Sequence, residues 1–184
     1  MRIACCALLL VACSPVSPLP AAPASATAPA AVPGAPVAPV VAGPEWDPVR
    51  GLLGTWEGAD PARKTSGRFT LGPELGGHVL VRHNTDDTPQ GRHEDLMIVF
   101  RTPAGLRASY FDNEGHTINY AITAAGPHIE LVSDEVAGMP RFKLTYDVKG
   151  PDELAIDFAI AMPGTTELKH YTGGTVHRVP AAAH

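Results

Sequence analysis

Histidine, aspartate and tyrosine recur through the second half of the chain, and any chemistry would begin with them. His93-Glu94-Asp95 puts three base-type or ligand-type side chains in a row. On a strand, successive side chains point to opposite faces, so His93 and Asp95 could share a site while Glu94 could not. The triplet follows the charged stretch Asp86 to Arg92, which reads as a loop, so a solvated strand end is expected here. Tyr110-Phe111-Asp112-Asn113-Glu114-Gly115-His116 reads as a hairpin whose Asp-Asn-Glu-Gly core supplies the turn residues. That role accounts for Asp112, Asn113 and Gly115, and the run is too short for a calcium loop. A five-coordinate haem would need one histidine facing a deep apolar pocket. His116, in step with Ile118, Tyr120 and Ile122, and His83, in step with Val79 and Val81, are the two candidates. The competing role for either is a hydrogen-bonded, half-buried imidazole. A zinc site needs three or four converging ligands, and no local pair has helical i, i+4 or finger spacing, so no metal is expected. No glycine-x-serine-x-glycine elbow occurs, and Ser66, Ser109 and Ser133 show no local sign of activation. A triad assembled from distant strands stays open, because triads are defined by geometry.

Composition narrows the field further. The chain has 184 residues and a net charge of −5, enough for one domain and a leader. No lysine-arginine run is present, so the electrostatic footprint of a nucleic-acid partner is missing. All three cysteines, Cys5, Cys6 and Cys13, fall in the leader, leaving the folded part without disulfide or thiolate chemistry. Burial alone must hold about 135 residues together, and a segment of that size buries roughly two-thirds of its unfolded surface.

The elements that must position these residues are strands. Glu45 to Arg50 reads as a single helical turn running into Leu52. From there, period-two alternation is broken by turn residues every eight to twelve positions. Ten strands are predicted, near 53–59, 66–72, 77–84, 93–101, 104–111, 116–123, 127–133, 140–148, 153–161 and 166–178. Leu154, Ile156, Phe158, Ile160 and Met162 share one face, and Phe142, Leu144, Tyr146 and Val148 another, each opposed by polar or small residues. Ten strands with one dry face close into a barrel or stack as a sandwich. A ten-stranded barrel has room for a ligand unless large side chains fill it.

Residues 1–12 have the layout of a signal peptide, with Arg2 before a short apolar run. Leu10-Val11-Ala12-Cys13 resembles the lipobox of bacterial lipoproteins, which implies lipidation at Cys13. An ordinary secretory signal cut nearby is the alternative. Ser14 after the cysteine implies, by the same resemblance, the outer membrane facing the periplasm of a bacterial cell envelope. Acyl chains, at about 0.8 kcal/mol per buried methylene, would anchor the chain to the membrane. Residues 13–44 form a tether rich in proline and alanine, with nine prolines that bar helix and sheet. The domain is expected over 45–180, with a tail at 181–184.

Gly54-Thr55-Trp56 at the first strand, a meander of short strands, and Arg178 in the last strand resemble the lipocalin and fatty-acid-binding (calycin-type) barrels. The spacing also resembles that of uncharacterised bacterial lipocalin-like domains of the same size. The resemblance implies an all-β, single antiparallel up-and-down barrel preceded by a disordered leader, with Gly54, Trp56 and Arg178 in structural roles. Trp56 is expected to pack under Arg178 in a cation–π contact of about 0.5–2 kcal/mol. Only Asp60 to Thr65 follows the first strand, so the helical lid of fatty-acid-binding proteins is absent. The implied function is binding or carrying a small apolar or amphipathic molecule, without a cofactor. Tyr110, Ile118, Tyr120, Phe142, Tyr146, Ile156 and Phe158 are the expected lining. Two other classes stay in view: a haem- or metal-binding barrel with redox activity, and a non-catalytic interaction module with a packed core. No local motif argues for an enzyme, and none indicates an oligomeric state.

Overall fold

The computed structural model describes residues 43–180. The expected signal peptide, Cys13, nearly all of the expected tether and the 181–184 tail therefore lie outside the described residues. Ten strands follow one another: β1 (Gly54–Asp60), β2 (Thr65–Glu74), β3 (Val79–Thr88), β4 (Gly91–Thr102), β5 (Gly105–Asp112), β6 (Thr117–Ala125), β7 (His128–Ser133), β8 (Arg141–Val148), β9 (Glu153–Ala161) and β10 (Lys169–Arg178). Each pairs antiparallel with the next, and β10 returns to β1, giving one closed up-and-down barrel. Closure leaves β1 and β10 paired at Trp56↔Arg178 and Glu57↔His177, so little free strand edge remains beside what an open sheet would expose.

The β3–β4 hairpin departs from expectation. Asp86 to Arg92 is not a loop: β3 runs to Thr88, β4 starts at Gly91, and Pro89-Gln90 makes the reversal. Asp86 faces His93 and Asp87 faces Arg92 across the ladder, so unlike residues sit opposite one another and the charged stretch stays paired. β10 likewise starts later than expected, at Lys169, after the turn at Pro163-Gly164.

One end of the barrel is solid. Pro44–Leu52, expected as one helical turn, is a nine-residue 3-10 helix that begins at Pro44 and carries Pro48 inside. A proline within the run removes a backbone donor, which favours a short, tight helix over a regular α-helix. It buries Trp46, Val49 and Leu52 against the barrel interior. Arg101 ties it down, pairing with Glu45 at 2.8 Å and lying 5.8 Å from the Trp46 ring centre. Beneath it Trp56 is fully buried and donates its indole N–H to the Leu52 carbonyl at 2.9 Å. The Arg178 guanidinium lies 4.1 Å from the Trp56 ring centre and donates to the carbonyls of Gly51 and Leu53. That placement explains the glycine of Gly54-Thr55-Trp56. Gly54 has φ +117°, and a Cβ there would stand 2.5 Å from Arg178 Nη1. Phe69, Leu71, Leu80, Met97, Val99 and Leu131 complete this core. The void they leave is about 20 Å³, room for one water.

Candidate functional site

Ladder register decides which side chains face inward, because directly opposed residues share a face. Trp56 opposes Phe69, Phe69 opposes Asn84, and Leu71 opposes Arg82. The inward row of β3 is therefore Leu80, Arg82, Asn84 and Asp86. Across to β4 and β5 the same face carries His93, Asp95 and Met97, then Tyr110 and Asp112. Toward the end opposite the 3-10 helix, this third of the barrel presents a polar wall.

At its base Arg82 is 8% exposed and lies between two partners. Nη2 donates to Asp95 Oδ1 and Nη1 to the Tyr146 hydroxyl, both at 2.5 Å. Asn84 Nδ2 bonds Asp95 Oδ2 at 2.9 Å and Asp86 Oδ2 at 2.8 Å. Burial opposes the Arg82 charge, but Tyr146 and Asp95 outweigh it and hold the pKa above the ordinary value. Burial is also the first cause that raises the phenols of Tyr146, Tyr120 and Tyr110. All three are hydroxyl groups, not phenolates, at neutral pH. Nearer the mouth, the Tyr110 hydroxyl lies 3.0 Å from His93 Nε2 and 3.2 Å from Asp112 Oδ2. Asp112 in turn bonds the His116 ring at 2.9 Å. A line of polar groups thus runs from the buried Tyr146 to the exposed His116.

The opposite wall is apolar. Ile118, Phe142, Ile156 and Phe158 face inward on β6, β8 and β9. Phe142 and Phe158 stack with centres 6.0 Å apart, and Tyr171 meets Phe158 edge-on at 6.2 Å. These side chains, with Tyr110, keep part of their surface accessible, unlike Tyr120 and Tyr146 below them. Gly174 of β10, directly opposite Ile156, faces space in which a Cβ would meet nothing within 4 Å. β1 pairs with β10 only at Trp56↔Arg178 and Glu57↔His177, so toward this end no ladder joins the two strands. The result is a half-barrel cup: a floor of Tyr120, Tyr146 and Arg82, one polar wall and one aromatic wall.

The seven side chains named from the sequence therefore share the interior but not one depth. Tyr120 and Tyr146 are floor, while the other five line the open half. The two haem candidates are not interior at all. His83 lies on the outer face of β3 with 62% of its side chain exposed, because Val79 and Val81, its neighbours in phase, also point outward. His116 precedes β6 in the hairpin turn, 60% exposed and held by Asp112. His93-Glu94-Asp95 is not a solvated strand end either. Asp95 is buried, His93 stands 3.7 Å from it on the same face, and Glu94 points out. Sequence reasoning missed Arg82, Asn84 and Asp86, because β3 carries apolar residues on both faces, Val79 and Val81 on one and Leu80 on the other. Comparison with known protein families and with curated proteins finds no match for this chain.

Proposed function

We propose that this protein binds a small amphipathic molecule in the open half of a calycin-like barrel and holds it at the cell envelope through lipid on Cys13. One observation carries the reading: five inward-facing side chains at one end stay accessible, and Gly174 opens onto free space. An interior packed from end to end would bury its inward face. Hydroxyls and the Arg82–Asp95 pair supply orienting groups on one wall, and phenyl rings supply apolar contact on the other, the usual division of labour in small-molecule sites. The ligand is compact, because the 3-10 helix and Trp56 already occupy the closed half.

Titration of the full chain with an environment-sensitive amphiphilic dye tests this. Saturable uptake is expected, lost in Gly174→Trp, which fills the cup, and kept in Thr175→Trp, whose ring points outward. Absence of saturable uptake by the unmodified chain would mean a packed interior. The protein would then be an interaction module acting through its surface, a reading favoured by the solid closed half.

A further inference from the structure

The walls of the cup differ in charge as well as polarity. Asp86, Asp95 and Asp112 lie on adjoining inward positions of β3, β4 and β5, and Glu114 Oε1 reaches within 3.8 Å of His93 at the rim. Arg82, the inward guanidinium of this half, is already engaged by Asp95. Lys169 stands opposite Ile160 at the rim, but it is largely exposed and lies 3.5 Å from Glu167. Asp60 is matched by Arg63 at 3.5 Å. Asp86 differs. It accepts from the neutral Asn84 amide, its charge reaches Tyr146 inside the barrel, and no cation pairs with it among the described residues. Asp112 stays ionised. Burial opposes its charge, but the N–H and ring of His116 and the N–H of Glu114 hold its pKa below the ordinary value. Across the cup stand the Phe142 and Phe158 rings with Tyr171 at their edge. Aromatic faces attract cations through their quadrupole. An anionic head entering here would meet carboxylates and a guanidinium already neutralised, whereas a cationic head finds both an unpaired carboxylate and ring faces.

We propose that the cup selects a cationic amphiphile, an amine on a compact aromatic or alicyclic body, over the matching anion. This rests on the reading that the cup admits a small amphiphile at all.

Three probes that share one phenyl group separate the cases: 2-phenylethylamine, 2-phenylethanol and 3-phenylpropionate. They are titrated calorimetrically into the full chain at about pH 8, above the ordinary imidazole pKa of about 6.5. The amine is expected to bind at least about tenfold tighter than the propionate, a gap equal to a single factor of ten in Kd. Added salt narrows that gap through screening. Asp86→Asn, which keeps an acceptor for Asn84, is expected to bring the two affinities close together. Asp157→Asn, on the outer face of β9, leaves the gap intact. Equal or tighter binding of the propionate or the alcohol overturns the charge assignment while the cup stands. An amine preference unchanged in Asp86→Asn overturns it too. If the dye of the preceding test enters and none of the three probes does, the ligand class is wrong. If neither dye nor probe enters, the cup itself is wrong.

Discussion

Arg82 and Asp95 show at the scale of single residues how a polar group earns a place inside a barrel. Each is buried, the two meet at 2.5 Å, and Asn84 and Tyr146 add further hydrogen bonds, while Arg82 Nε alone of the guanidinium nitrogens has no partner among the described residues. Removing one partner leaves an uncompensated buried charge, so Arg82→Met is expected to cost about 3–5 kcal/mol in urea unfolding. Arg82→Met combined with Asp95→Leu should recover much of that loss, because the pair is replaced by apolar volume as a unit. Losses that simply add would show that the two side chains are not coupled. This pair was hard to read from sequence for a concrete reason. β3 and β4 carry apolar residues on both faces, Val79, Val81, Leu96 and Ile98 outside and Leu80, Met97 and Val99 inside, so alternation alone could not say which face was dry. Trp56 and Arg178 were easier, since the resemblance to calycin-type barrels implied their contact, and the first and last strands that carry them meet when the barrel closes.

At the scale of elements, the β5–β6 hairpin is organised by one carboxylate. Asp112 Oδ1 accepts the N–H groups of Glu114 and His116, at 3.0 and 2.9 Å, while Oδ2 meets the His116 ring and the Tyr110 hydroxyl. Hydrogen bonds to a charged acceptor contribute about 1.5–3 kcal/mol, so Asp112→Ala should destabilise the protein by that order at pH 7. The folded pKa lies below the ordinary value of 3.8, so this stability is present above the ordinary value and lost as pH falls through the folded one. Urea midpoints of the two proteins should therefore stand apart at pH 7 and converge on acidification. A gap that persists unchanged in acid would remove the carboxylate charge from the explanation. The hairpin was legible because its turn residues are local, and so were the other eight strands, from their period and their breaks. The β3–β4 hairpin was not, because a run of charges resembles a loop until the partner strand supplies the facing residues.

At the scale of the whole molecule, the barrel is two halves with different work. The half under the 3-10 helix is a close-packed core built on Trp46, Trp56 and Phe69, with a void of about 20 Å³. The other half keeps inward side chains accessible and bears the polar and aromatic walls. Strand number and alternation anticipated a barrel or a sandwich, since ten short strands with one dry face cannot lie flat, and only the resemblance to calycin-type barrels chose closure between them. Nothing local announced that Pro44–Leu52 would fill one half. Whether a barrel is hollow depends on how side chains from ten strands meet across it, a long-range sum that periodicity does not contain. Native mass spectrometry of the full chain, purified gently, tests the open half most directly. The account expects an adduct of low mass that denaturation releases and that Gly174→Trp abolishes. A bare mass, with no uptake of added amphiphile, would contradict it.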